Sequence, residues 1–439
     1  MSQWLDSITT WLAANPHWLG AAVFIVACTE CLAIAGIIVP GTILLFAVAV
    51  MAGSGALSLG ETLLLGFAGG LLGDVLSYTL GRYFHQDIRR LPGLRTHPQW
   101  LSAAENYFRR YGIASLLVGR FIGPLRPMLP MVAGMFNMPA LRFFGVSLVA
   151  GAGWSIAYLM PGWATGAALR LPLQEGFWTQ AAIVGASLAL FLGASIQLAV
   201  RASSRSSMIN AALSLLLLIA LMIGWPHLSA FDNGLMTLTQ EVRTTGFDSI
   251  AVFVTLLGNF VPQLVAGGAL VVLLLVTRQW RAALFAGTTL LGTAASNGAL
   301  KEWFARTRPE ILLEPLQTFS FPSGHSSAAF AFFLTLGVLA GRGQPARSRL
   351  SWMLVAGLAA LSIALSRIYL GVHWPSDILA GAMLATTWCA LSLSIYRFIG
   401  PVPALPPRAW WPVLVICLGI LGAYAVFNLS DSLLTYRYL

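Results

Sequence analysis

The sequence predicts an all-α polytopic membrane protein, and three observations predict it. Hydrophobic residues make up 58% of the 439 and charged residues only 9%, with a mean hydropathy of +0.79, whereas soluble domains carry about a quarter charged residues. The apolar residues fall in runs as long as membrane-spanning helices of about 20 residues. The basic residues, all Arg apart from Lys301, fall mostly in short links between those runs, as topology signals do. The formal charge of +10 therefore does not indicate nucleic-acid binding, since no basic stripe with interleaved aromatics is present.

The elements follow in order. Met1–Asn15 contains Asp6 and no basic residue, unlike a signal peptide, and places Trp4, Leu5, Ile8, Trp11 and Leu12 as an interfacial amphipathic helix would. The apolar stretch Trp18–Gly53 is broken at Pro40-Gly41 and holds one acid, Glu30. A carboxyl inside hydrocarbon is costly, which makes Glu30 a functional candidate. The break predicts a helical hairpin that enters the membrane and returns, the alternative being one kinked crossing. Cys28 and Cys31 lie within this apolar run, and small-residue helix packing explains them better than a redox or zinc site.

Glu61–Phe84 reads as a full span, with Gly66, Gly69, Gly70 and Gly73 for close helix approach and Asp74 and Tyr78 in its later half. A polar link with Arg89, Arg90, Arg95, Arg109 and Arg110 follows. Ile113–Pro139 carries Arg120 and Arg126 among prolines, which no simple spanning helix accommodates; a second re-entrant hairpin fits. Spans are then expected at Leu141–Leu169 and Phe177–Val200. The Ser/Arg-rich link 201–207 places a domain boundary there, giving domains 1–203 and 204–439. Further spans are expected at Met208–Trp225, Ile250–Val276, Ala282–Phe304, Ser326–Ala340, Trp352–Leu370, Ile378–Ile399 and Trp410–Phe427.

From Arg201 and Arg205 onward, every second link is basic: Arg278 and Arg281, then Arg342, Arg347 and Arg349, then Arg397 and Arg408. The opposite links hold Asp232, Glu241, Asp248 and three polar stretches: Lys301 to Arg308-Pro309, Pro322-Ser-Gly-His325, and Ser366-Arg367 through His373 to Asp377. By the positive-inside rule those stretches converge at the outer face. Together they supply three cations, two histidines and a Ser-Gly pair opening an apolar helix, where backbone N–H groups favour a phosphate oxygen. If a helix restarts near His373, Asp377 lies over the same face and holds the imidazole in one tautomer. Arg306, between Lys301 and Arg308, reads as a charge that only solvates the loop. His17, His85, His97 and His227 lie in polar links without a partner at useful spacing.

The second half resembles the type 2 phosphatidic acid phosphatase superfamily, whose signature K-x6-R-P, P-S-G-H and S-R-x5-H-x3-D is complete and in order here. The resemblance covers about Met208–Ile399 and implies a six-helix phosphatase bundle, to which Trp410–Phe427 adds one extra C-terminal span. It implies His373 as nucleophile, Asp377 as its orienting carboxylate and His325 as acid and then base. Lys301, Arg308, Ser323, Gly324 and Arg367 would hold the phosphoryl oxygens, with no metal and no cofactor. A dissociative phosphoryl transfer asks for the same roles, namely spread positive charge and groups in line for attack and departure.

The first half, about Trp18–Val200, resembles the DedA family of membrane proteins, thought to carry lipids between leaflets. The residues that carry the likeness are Glu30 before Pro40-Gly41, Gly73-Asp74 with Tyr78 and Gly81-Arg82, and Gly119-Arg120-Phe121 with Pro124, Arg126, Pro130 and Ala133-Gly134. It implies two re-entrant hairpins and transport roles for Glu30, Arg120 and Arg126. Thr42 stands where many members carry an acid tied to proton coupling. Combined, these expectations describe a bacterial inner-membrane lipid-phosphate phosphatase with its pocket outside, fused to a lipid transporter, with membrane lipids as partners. Undecaprenyl diphosphate is the economical substrate, and phosphatidate or phosphatidylglycerol phosphate would use the same pocket. In the alternative, a glycerolipid phosphatase is joined to a first half that is a phospholipid scramblase or flippase, or only a scaffold or lipid-binding module.

Overall fold

The computed structural model describes residues 10–12, 14–33, 35–38, 41–84, 98–121, 126–201, 205–314, 316–400 and 402–438. Trp4, Leu5, Asp6, Ile8, Pro40, His85, Arg89, Arg90, Arg95, His97 and Pro124, named above, lie outside the described residues. Among the described residues the protein is helical, with a single isolated antiparallel bridge between Leu312 and Tyr438. Eight helices among the described residues are long and apolar enough to cross a membrane, or up to nine when a bent pair is counted as one span. The chain divides into two compact units, Met1–Pro172 and Leu173–Leu439. The helix Phe177–Arg201, which the sequence places in the first domain, thus belongs to the second compact unit.

In the first unit, α1 (Leu19–Cys31) and α2 (Gly41–Met51) flank the first break, joined through a single turn at Ala35–Ile38. The apolar helices Pro16–Cys31 and Gly41–Ala56 each have 10–17 residues, or at most about 25 Å at 1.5 Å per residue, against a hydrocarbon core of about 30 Å. Arms that fall short of a full crossing suit a hairpin rather than two crossings. The full span α3 (Leu59–Tyr83) starts at a capping box: Ser58 accepts from the Glu61 amide, and the Glu61 carboxylate takes the Ser58 amide at 2.9 Å. Its glycines let α1 lie against it, since a Cβ at Gly69 would stand 2.2 Å from the Phe24 carbonyl oxygen and one at Gly73 2.5 Å from that of Cys28. The amphipathic α4 (Pro98–Tyr111) leads to the second hairpin, built of the short α5 (Ile113–Gly119) and α6 (Met128–Met135). Helix α6 packs on α3, and the long α7 (Ala140–Arg170) closes the unit against α2 and α3.

The second unit contains α8 (Phe177–Arg201), α9 (Ser206–Gly224), α10 (Ser229–Glu241), α11 (Thr245–Leu256), α12 (Phe260–Val276), α13 (Trp280–Phe304), α14 (Gly324–Gly341), α15 (Ala346–Tyr369), α16 (Pro375–Ile399) and α17 (Pro407–Thr435). The single span expected at Ile250–Val276 is instead the pair α11–α12, bent by 42°. Asn259 makes the break by capping α12, its side chain accepting from the Phe260 amide at 2.7 Å. The extra C-terminal span α17 is built into the core, where Trp410, Val413, Cys417 and Leu421 meet Leu270 and Leu274 of α12. The basic links gather at one end: Arg349 donates to the Ala199 carbonyl at 2.9 Å, and the Arg281 guanidinium lies against Gly400. Alternate links therefore do share an end, and the polar stretches lie together at the other.

Candidate functional site

Helix α13 ends at Ala305, which adopts a left-handed φ of 44° and turns the chain into the loop carrying Arg306 and Arg308. The loop returns through Thr318–Pro322 to α14, whose first turn holds Gly324 and His325. The third stretch closes the pocket between α15 and α16. Pro375 opens α16, so His373 lies in the link just before the helix rather than within it, with Asp377 in the first helical turn. The Asp377 carboxylate still meets His373, at 3.2 Å from Nδ1, and also accepts from the Trp374 amide at 2.9 Å. Both residues are buried, at 1% and 0% exposure.

With Nδ1 donating to Asp377, His373 presents a lone pair at Nε2, 3.1 Å from Arg308 Nη1. Burial and then the cations Arg308, Arg367 and Lys301, with His325 behind them, push the His373 imidazole well below its usual range toward the neutral form a nucleophile needs. Arg308 is itself lowered to about 10 by burial and by Arg367. It is oriented by Thr318, whose carbonyl accepts from Nε at 2.7 Å, and by the Val372 carbonyl at 2.7 Å from Nη1. Lys301 donates to the Phe319 carbonyl at 2.5 Å. Arg367 is 1% exposed and donates to Thr255 at 3.0 Å and to the Tyr436 hydroxyl at 2.9 Å. Ser323 caps α14, accepting from the Ser326 hydroxyl at 2.9 Å, and its own amide donates to the Asp377 carbonyl at 3.0 Å. His325 Nε2 is buried without a hydrogen-bond partner among the described residues.

Sequence reasoning misplaced one residue. Arg306 does not solvate a loop: it is 9% exposed, with Nη1 donating to Asp377 at 2.8 Å and Nη2 donating to Asp232 at 2.7 Å. Ser320, which donates to the same Asp377 oxygen that faces His373, and Tyr436, which follows the last span, were not identified from sequence either.

In the first unit Glu30, Arg120 and Arg126 are each 4% exposed. Arg126 pairs with Glu30, and Arg120 pairs with Asp74 of α3, a partner that spacing alone did not assign. Thr42 donates to Glu30 Oε1 at 2.8 Å. Both guanidiniums lie over the Trp154 ring, at 5.0 Å for Arg120 and 5.7 Å for Arg126, and Arg126 also lies 4.7 Å from the Tyr158 ring.

A membrane bundle that buries a histidine–carboxylate pair beside Arg308, Lys301 and Arg367 has the groups that a phosphoryl-transfer site needs. Comparison with known proteins agrees: the PAP2 superfamily matches residues 282–401, and the VTT domain matches residues 39–164. The chain belongs to the VTT-domain (DedA) family and joins that domain to a PAP2-superfamily domain. The inner membrane protein YabI of Escherichia coli K12 is 38% identical over 157 residues, covering 35% of this chain and 62% of YabI. An uncharacterized membrane protein of Buchnera aphidicola, BU139, is 31% identical over 195 residues, 44% of this chain and 75% of that protein. Phosphatidylglycerophosphatase B of Bacillus subtilis is 38% identical over 91 residues, 20% of this chain and 45% of that enzyme. A crystal structure of a PAP2-type phosphatidylglycerolphosphate phosphatase from the same species aligns with a TM-score of 0.39 at 23% identity, covering 43% of this chain and 96% of that one.

Proposed function

We propose that the second domain hydrolyses membrane lipid phosphates through a phosphohistidine on His373. The observation that carries this is the His373 ring, held at Nδ1 by Asp377 with Nε2 turned to Arg308. In the first step the Nε2 lone pair bonds to phosphorus as the bond from phosphorus to the leaving oxygen breaks, and that oxygen takes a proton from His325. The substrate's own negative charge lets His325 carry this proton among so many cations. In the second step water bonds to phosphorus and gives a proton to His325 while the phosphorus–nitrogen bond breaks. Inorganic phosphate leaves, and both histidines return to their starting states. Lys301, Arg308 and Arg367, with Ser323 and Gly324 at the start of α14, hold the phosphoryl oxygens.

On this reading the pocket faces the periplasm of a bacterial inner membrane, because the basic links lie at the opposite end. Undecaprenyl diphosphate is the substrate, and the first domain returns the product, undecaprenyl phosphate, across the bilayer with Glu30, Arg120 and Arg126 passing its phosphate. A glycerolipid substrate is the second reading, favoured by the likeness to phosphatidylglycerophosphatase B. The observation behind the alternative, a first domain that is only a scaffold, is that its two arginines are already paired, Arg120 with Asp74 and Arg126 with Glu30. The test is phosphate release by the purified protein from undecaprenyl diphosphate, phosphatidate and phosphatidylglycerol phosphate, each against His373→Ala. Preference for the diphosphate supports the recycling reading, preference for a glycerolipid supports the second, and equal release from the His373→Ala protein overturns the site. For the face, Gln317→Cys should react with an impermeant thiol reagent added outside intact cells; protection there reverses the orientation.

A further inference from the structure

We propose that Arg306 and Asp232 are positioning residues of this pocket, forming a buried Asp232–Arg306–Asp377 chain that holds the carboxylate behind His373 ionised and in register. The proposal rests on the phosphatase reading and adds two residues to it. Arg306 is gripped from two directions. Nη1 donates to Asp377 at 2.8 Å and to the Ser376 hydroxyl at 2.8 Å, and Nη2 donates to Asp232 at 2.7 Å. Its plane lies near the rings of Trp225, at 4.4 Å, and Trp374, at 5.4 Å. Asp232, 1% exposed on α10, is fixed to the start of α16 by the Ser376 amide at 2.9 Å and the Ser376 hydroxyl at 2.6 Å. The guanidinium therefore bridges two helices and cannot drift toward the phosphate-binding cations.

The charge pattern gives this chain its chemistry. Asp377 is 0% exposed, and a buried carboxylate without a cation takes up a proton instead. Protonated, it would no longer fix the His373 tautomer. Arg306 prevents that, yet a guanidinium serving Asp377 alone would cancel the negative charge that the ring needs as it bonds to phosphorus. Asp232 removes that conflict: a carboxylate–guanidinium–carboxylate chain keeps one net negative charge, delivered at Asp377. The other charged or titratable groups facing the His373–Asp377 pair are Arg308, Arg367, Lys301 and His325, cations or histidines that cannot take over Asp232's part.

The test compares full-length wild type, Arg306→Gln, Arg306→Lys and Asp232→Asn for phosphate release across pH on one lipid phosphate, with melting curves to confirm folding. Arg306→Gln should lower kcat by about 10- to 100-fold with KM within about twofold, and raise the acid limb by about one pH unit. Arg306→Lys should recover part of the rate. Asp232→Asn should also lower kcat but move the acid limb down, because Arg306 then serves Asp377 alone. Opposite shifts from the two variants are not expected of residues that merely stabilise the fold. A folded Arg306→Gln protein with wild-type kcat and an unmoved limb overturns the proposal, as does a shift of the same sign in both. If Arg306→Gln does not fold, the Asp232→Asn and Arg306→Lys arms decide it. If wild type releases no more phosphate than His373→Ala, the phosphatase reading fails separately. The chain is then judged by nitrogen-15 resonances of His373 in Asp232→Asn, where an unchanged Nδ1–H titration overturns it and a downward one supports it.

Discussion

The Glu30–Arg126 pair admits a worked test of whether the first-domain charges hold the hairpins together or move lipid. Arg126→Met keeps the apolar stem of the side chain but removes the guanidinium that lies over Trp154 and Tyr158, and leaves Glu30 with Thr42 as its described donor at 2.8 Å. Breaking a buried pair from one side costs about 3–5 kcal/mol, because the remaining charge stays buried. For a unit of this size each kcal/mol moves the midpoint by roughly 2–4 °C, so the expected fall is on the order of 6–20 °C. Glu30→Gln, which strands Arg126, should fall comparably. The double variant should fall by much less than the sum, with a coupling energy of about 2 kcal/mol or more. Thermal unfolding in detergent, followed by fluorescence from tryptophans that include Trp154, reads all four corners of the cycle. Single variants that melt within about 2 °C of wild type, or a double variant equal to the sum, would refute the reasoning. The stable double variant then separates the roles: loss of lipid movement in vesicles assigns the charges to transport, and retained movement assigns them to structure.

Three other predictions follow from the same contacts. Asp377→Asn keeps the shape of the site but loses the charge and one acceptor, so single-turnover phosphate release should slow by about 10³–10⁴-fold with substrate affinity nearly intact; a loss under about tenfold contradicts the orienting role. His373 is pushed below its ordinary value, so its nucleophilic neutral form persists as pH falls. Half-maximal kcat/KM on the acid side should therefore lie below pH 6.5, the ordinary value, and an acid limb above that pH, read from initial rates, counts against it. Gly69→Ala puts a Cβ 2.2 Å from the Phe24 carbonyl oxygen, so α1 must move off α3. A folded yield and melting point equal to wild type would show that the two helices are not packed as described.

The convergence of the three polar stretches, on which the proposed phosphatase pocket rests, was legible in the sequence because they are written in fixed spacings: Lys301 to Arg308, Ser323 to His325 and Arg367 to Asp377 each come from one local segment. Arg306 was not, because a charge two residues from Arg308 looks like any loop charge until α10 brings Asp232 against it. Asp74 was visible as an intramembrane acid, but nothing in its spacing selects Arg120 as its partner. Hydropathy could not find the bend at Asn259 either, since both arms of α11–α12 are apolar; Gly258-Asn259 followed by Pro262 was the available signal. The hairpins were legible for a different reason, since Pro40-Gly41 breaks the first apolar run and Arg120 and Arg126 among prolines could not be accommodated by an uninterrupted span.

The end of α17 brings the chain back to the pocket. Tyr436 reaches Arg367 with its hydroxyl, Arg243 donates to the Tyr436 carbonyl at 2.9 Å, and the Leu313 amide donates to the Arg437 carbonyl at 3.1 Å. Residue 438 thus surfaces on the same side of the bilayer as His373. A reporter enzyme or fluorescent protein fused after it, through a linker that leaves Tyr436 in place, would declare by its own activity which compartment the phosphate is released into. Removing Tyr436 would, by contrast, take away the hydroxyl to which Arg367 donates at 2.9 Å, so that tagging and truncation in this segment are experiments on the proposed pocket itself.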